Sequence, residues 1–318
     1  MPLCAYTMHM NIKSLYDESV VYAFYKTLTT RSLRPTTLKC VVTIFYNFFY
    51  RQYRAALLPG RVPVSKVDHP LDKKIPFAPS WVIIYLDFTT FWVRIVTFLL
   101  KEYGSRAFSI VKEFISSMGD LYIFAAQVYK RNFSTTKRPF YVSRPRFFLI
   151  HLVDPHLMCI PSLHVMLVIR TYTKFTQIMK KLGEYEKYAA QIEEVKQGAL
   201  AISRAILFVK QHSVNCISAA MYAMTCFSPE LFPPAEAESF ANQIFLPETA
   251  IKFAPLSKGM ANYAARPAAA PELNIPPEDA REILKHVVGL YRHFMSEKEN
   301  SKNWYDPLLN FMKSMPRA

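Results

Sequence analysis

Five apolar runs, at 40–50, 81–100, 107–129, 147–169 and 198–227, divide this chain of 318 residues. Segments rich in charge or proline lie between them. Runs of this length become buried or membrane-crossing helices, because strands usually close at a turn after about five or six residues. Glycine turns are scarce: 7 glycines leave little material for tight hairpins. Neither a glycine-rich phosphate loop nor a dinucleotide-binding fingerprint occurs. The expected fold class is all-α.

A net charge of +15 with 14% aromatic residues suits two kinds of partner. One is nucleic acid, where cations meet phosphates and rings stack on bases. The other is a membrane, where rings sit at the interface and Lys and Arg face anionic head groups. The cations here are spread along the chain, often beside runs such as Ile44-Phe45-Tyr46-Asn47-Phe48-Phe49-Tyr50. Zinc-finger spacing and an RNA-binding aromatic signature are both missing. The expected partner is a lipid bilayer, not nucleic acid. Cys4, Cys40, Cys159, Cys216 and Cys226 form no Cys-x-x-Cys and read as buried small residues, not a disulfide framework. Residues 1–13 lack the pattern of a cleaved signal peptide. Arg31, Arg34 and Lys39 precede the first apolar run, which places that end on the inner side of a membrane.

The organisation expected is an amphipathic segment at 1–37, a membrane domain at 38–228 and a tail at 229–318. The membrane domain reads as a multi-pass bundle of about five or six spans. The segment 51–79, with five prolines, reads as a loop. Pro276-Pro277 followed by Glu278 and Asp279 resembles a helix start. Ile283, Val287, Tyr291 and Phe294 then recur at helical spacing, giving an amphipathic helix at 277–296 that reads as packing. The spans carry charge: Asp87 and Arg94 in 81–100, and Lys112, Glu113 and Asp120 in 107–129. Only 211–229 is a charge-free run of spanning length, and mean hydropathy is +0.06. A helical protein outside the membrane therefore stays open.

Three segments carry candidate chemistry. In 137–145, Lys137 and Arg144-Pro145 are separated by six residues. Pro161-Ser162-Leu163-His164 opens an apolar helix. Ser203-Arg204 and then Lys210-Gln211-His212-Ser213 precede the charge-free helix. Together they offer cations for phosphate charge, a hydroxyl and a helix N-terminus for phosphate oxygens, and two histidines for proton and phosphoryl chemistry.

In this order the segments resemble the three motifs of the type 2 phosphatidic acid phosphatase and vanadium haloperoxidase superfamily. The first matches that family's Lys, six residues, Arg-Pro. The second matches Pro-Ser-Gly-His with Leu163 for Gly, as in sphingolipid-synthase-like members. The third keeps its histidine, but Ser203-Arg204 stands farther from His212 than the family spacing. Cys216 occupies the place of the family's Asp. Lys210-Gln211-His212 and 72–79 look like a divergent, sphingolipid-synthase-like branch. The resemblance covers about 38–228.

It implies a membrane lipid phosphatase that hydrolyses a lipid phosphate or pyrophosphate through a phosphohistidine. His212 would attack phosphorus and His164 would protonate the leaving group. Lys137, Arg144 and either Arg204 or Lys210 would offset phosphate charge, while Ser162 and the Leu163 amide donate hydrogen bonds. Metal and cofactor are not needed in that scheme, because the cations are side chains. The active site would lie on the non-cytoplasmic face. Cys216 opens two alternatives. The chain is a catalytically impaired or dead member that binds lipid phosphate or scaffolds a membrane complex, or it recruits another acid such as Asp154. Head-group transfer is a further option. A metal site from Cys159, His164, His212 and Cys216 is poorly supported by spacing, and His151 and His156 have no assigned role.

Overall fold

The computed structural model describes residues 14–58, 60–139, 141, 145–245 and 275–318. These are mostly helical, and the all-α expectation holds. Helix α1 (Val20–Thr29) starts at Ser19, whose hydroxyl accepts from the Tyr22 N–H. Helix α2 (Arg34–Ile44) continues through a π-helical turn, Phe45–Tyr50, into α3 (Arg51–Leu57). After the loop come α4 (Val82–Leu86), α5 (Phe88–Tyr103) and α6 (Phe108–Tyr129). Gly104 divides the last two at φ 56, in the left-handed region that glycine reaches most cheaply.

Helix α7 (Pro145–Val153) and helix α8 (Leu163–Lys181) share the apolar run expected at 147–169. Pro155 and Pro161 break it, because proline lacks an N–H and pushes the residue before it out of the helical region. Then follow α9 (Ala189–Phe208), α10 (Val214–Phe227), α11 (Pro234–Phe245), α12 (Pro277–Glu299) and α13 (Asp306–Ser314).

The charge-free run becomes α10, of 14 residues. That is about 21 Å of rise, short of the roughly 30 Å hydrocarbon core of a bilayer. Every residue of α10 from Val214 to Thr225 is buried, against α6, α8, α11 and α12. Its lack of charge thus reflects enclosure by protein. Helix α12 supplies one wall, burying Ile283, Val287, Tyr291 and Phe294, so the amphipathic stripe of the tail is a packing face. Among the described residues one helical stretch, Pro79–Tyr129, is long and apolar enough to cross a membrane, and half of its most apolar window is buried inside the protein. Several of its charged residues are paired: Asp87 with Arg94 at 2.7 Å, and Glu113 with Lys174.

A small parallel sheet organises the region between the helices. Strand β1 (Val64–Lys66) pairs with β2 (Phe133–Thr135), Val64 opposite Phe133. Ser134 bridges to Met158 and Ser65 to Arg317. Four distant pieces of chain therefore meet just before the start of α8.

Candidate active site

Two helix starts build the site. Helix α8 begins with Ser162 at its N-cap and His164 in its first turn. Upstream, Cys159 N–H donates to the Ser134 carbonyl at 3.2 Å and Ile160 N–H to Ser134 Oγ at 2.7 Å, so the sheet fixes the approach to this helix.

The other start follows a reversal. Lys210 takes φ 54, ending α9, and the Gln211 and His212 N–H groups both reach back to the Ile206 carbonyl. A left-handed conformation costs a residue with a Cβ about 1–2 kcal/mol. Here the Lys210 Nζ donates to the carbonyls of Asp72 and Ile75, which holds the turn. From the same loop, Asp72 Oδ1 accepts from the Val214 N–H at 2.9 Å, capping α10 and complementing its positive end. Residues 72–75 thus clamp His212 from both sides.

Side chains from the two starts converge. His212 Nε2 lies 3.2 Å from His164 Nδ1 and 3.5 Å from Ser162 Oγ. All three residues are buried. The His164 ring stacks on Tyr85, with centroids 4.7 Å apart, and touches Phe88 at 4.1 Å. Burial, and then the neighbouring His212, push His164 down to about 3. His164 Nε2 and His212 Nδ1 are buried without a hydrogen-bond partner among the described residues.

Behind His212 lies a polar cluster to which the sequence reading gave little weight. His156, at φ 60, places Nε2 2.8 Å from Thr136 Oγ1 and 3.6 Å from Cys159 Sγ. Its Nδ1 stands 3.8 Å from Asp154 Oδ2, and its ring centroid is 6.2 Å from that of His212. Burial opposes a charge on His156, but the Cys159 sulfur and the Asp154 carboxylate raise it to about 9. Burial likewise opposes ionisation of Cys159. A hydrogen bond from Cys216 and the charge of His156 outweigh it and hold that thiol well below its ordinary range. Cys216 therefore directs its S–H to Cys159. Both shifts favour the charged forms of Cys159 and His156 beside His212. Arg138 borders it, with Nη1 3.3 Å from Gln211 Oε1 and Nη2 3.2 Å from the Asp154 carbonyl. Two non-glycine residues in the left-handed region, His156 and Lys210, flank the site, as strained backbone often does where side chains must converge.

The structure separates the expected residues into two groups. Ser162, Leu163, His164, His212 and Cys216 come together. Arg204 does not join them: its guanidinium donates to the Gln243 and Ile244 carbonyls at 2.5 and 2.7 Å, closing the C-terminal end of α11. Lys210 is spent on Asp72 and Ile75. Lys137 is exposed, with its backbone N–H on Asp68 Oδ1 at 2.7 Å. Arg144 lies outside the described residues. Among the described residues, His156 stands beside His212, and Arg138 reaches the neighbouring Gln211. Arg138 sits inside the first motif, and the Asp154-Pro155-His156 turn before Pro-Ser-x-His was a legible signal for the second. Cys159, His164, His212 and Cys216 share a neighbourhood, yet no three His, Cys, Asp or Glu among the described residues are placed to hold a metal ion.

No protein-family model, curated protein or solved structure matches the chain.

Proposed function

We propose that this protein is a phosphohydrolase acting on a lipid phosphate or pyrophosphate at a membrane, with His212 as nucleophile. The observation that carries the reading is the meeting of His212 Nε2, His164 Nδ1 and Ser162 Oγ within 3.5 Å at the start of α8. Two imidazoles and a helix N-terminus form a compact set of groups for phosphoryl transfer. A phosphorus bonded to His212 Nε2 takes the place of the His164 contact, so substrate enters by parting the two rings.

In the first step the His212 N–P bond forms, the P–O bond to the leaving group breaks, and His164 supplies the proton to the departing oxygen. Substrate charge raises His164 from its low resting value, because an anion beside an imidazole favours its protonated form. In the second step the now neutral His164 takes a proton from water as the water oxygen attacks phosphorus, the His212 N–P bond breaks and phosphate leaves. Ser162 and the Leu163 amide donate to the equatorial oxygens, and Arg138, at Gln211, supplies positive charge. Cys159 supplies the negative charge behind His212 that the resemblance expects from an Asp at position 216.

The reading keeps attachment to a membrane. The multi-pass arrangement asks more than Pro79–Tyr129 provides, since α10 turns no side to lipid. The test is phosphate release from phosphatidic acid and from polyprenyl pyrophosphate by purified protein. His212→Ala is expected to fall to background, and equal release from both proteins rejects the reading. A second reading, a lipid-phosphate binder without turnover, is favoured by the unpartnered His212 Nδ1. It holds if wild-type protein binds the lipid without releasing phosphate and Cys216→Asp creates activity.

A further inference from the structure

Between Glu18 and Asp68 the chain has eight lysines and arginines and no Asp or Glu. This stretch forms α1, α2, the π-helical turn and α3. Its outer side is bare. Val42 is 65% exposed, Phe45 61%, Tyr46 51% and Leu57 78%. Among the described residues, the exposed large apolar side chains outside 21–58 are Phe77, Ile123, Tyr185 and a group on α7. On α7 Phe148 is 52% exposed and Leu152 67%.

The two parts are joined. The Tyr53 hydroxyl of α3 donates to the Val153 carbonyl at the end of α7. Gln52 Oε1 accepts from the Leu157 N–H at 2.9 Å. Leu157 lies in the loop that carries His156 and leads to Ser162. The bare face and the histidine pair are therefore parts of one framework.

Charge selects the occupant. A second protein would need acidic residues across the whole face, whereas an anionic leaflet meets every cation at once. The charge-free run 40–50 rises about 16 Å, roughly half the hydrocarbon thickness. Lys39 and Arg51 close it at either end, and the Arg51 guanidinium lies over the Tyr46 ring at 4.9 Å. Such a helix lies in the plane of a leaflet, with rings at the head-group boundary and cationic ends reaching outward.

We propose that α2–α3 and α7 form one in-plane docking face for an anionic lipid leaflet, and that the substrate is drawn from that leaflet. The second half rests on the phosphohydrolase reading; the first half does not.

The test uses the full chain with phosphatidylcholine vesicles, with and without phosphatidylserine. Wild-type protein is expected to sediment with the anionic vesicles and to be released by alkaline carbonate. Arg51→Glu with Arg54→Glu should weaken that binding by about tenfold or more. Phe45→Ser with Tyr46→Ser should do the same. Both double variants should keep wild-type thermal unfolding and wild-type hydrolysis of water-soluble p-nitrophenyl phosphate, while losing turnover of phosphatidic acid in vesicles. Unchanged vesicle binding by both variants overturns the proposal, as does resistance of the wild type to carbonate. A lipid-independent dimer in sedimentation equilibrium, dissociated by the same substitutions, also overturns it by giving the face to a second copy. Vesicle binding without phosphate release from either substrate removes the substrate half and the phosphohydrolase reading, and leaves the docking half standing.

Discussion

His212 meets different chemistry on its two sides. Nε2 faces Ser162 and His164, while behind the ring the Cys159 sulfur lies against His156, with its thiol held well below its ordinary range. Cys216, the residue one turn on, gives its S–H to Cys159. Cys159→Ser should therefore lower turnover more than Cys216→Ser, which keeps a donor. The pH dependence follows from the raised His156. Its folded value, about 9, lies above its unfolded value of about 6.5. The contribution of His156 is thus fully present below pH of about 6.5 and is lost as pH rises through about 9, while that of the depressed Cys159 runs the other way and is lost as pH falls. Phosphate release is expected to decline on the same alkaline limb. Cys159→Ser should move that limb toward neutrality, and a pH–rate profile that stays in place rejects the pairing. This arrangement was partly legible: Pro-Ser-x-His and His212 point to the histidines, and the Asp154-Pro155-His156 turn to a second cluster, but nothing in the spacing of 154–159 shows that sulfur and carboxylate gather on His156.

Among the elements, α9 and α12 show how packing assigns roles that composition does not. A Cβ on Gly198 would stand 2.1 Å from the Tyr16 hydroxyl and 2.6 Å from Phe91 Cε2. Gly198→Ala should therefore cost about 1–3 kcal/mol by overpacking, read as a lower denaturation midpoint. In the same helix Glu194 accepts from the Leu15 N–H at 3.0 Å, so a residue of a charged segment is a buried anchor for the N-terminal strand of chain. On α12, His286 Nε2 lies 2.8 Å from Asn215 Oδ1, and its ring stacks on His69 at 3.9 Å. Burial, then the charge of His69, lower His286 to about 4. A lowered histidine favours the folded state while neutral, so this contribution is present above pH of about 6.5 and fades as pH falls toward 4. Acidification through that window should lower the thermal midpoint, and His286→Gln should flatten the dependence. The stripe on α12 was visible in the sequence as spacing; that its partner is α10 was not.

For the whole molecule, the C-terminal helices complete the core. Helix α12 covers α10, and the last residues pair with β1 through Lys66 N–H to the Pro316 carbonyl and Ala318 N–H to the Val64 carbonyl. Removing 276–318 should expose α10 and abolish soluble, cooperatively folding protein, as checked by yield and by circular dichroism on heating. A truncated chain that unfolds like the full one would show that α10 is protected by other means. The same enclosure separates the apolar surface into two kinds. The inner kind, α8 and α10, is sealed by protein, and the outer kind, on α1 to α3 and α7, is bare and cationic.

By itself the sequence determined the helical class, because long apolar runs with few glycines have no other economical way to satisfy their backbone. It also determined the helix starts that carry Ser162, His164 and His212, because proline and a capping hydroxyl act locally. Tertiary structure alone decided which apolar runs are core and which are surface, since hydropathy records burial without naming what does the burying. It alone decided that Arg204 and Lys210 close helix ends while His156 stands by His212 and Arg138 by Gln211. A cation's role is set by the carbonyls and carboxylates within about 3 Å of it, and those arrive from parts of the chain far away.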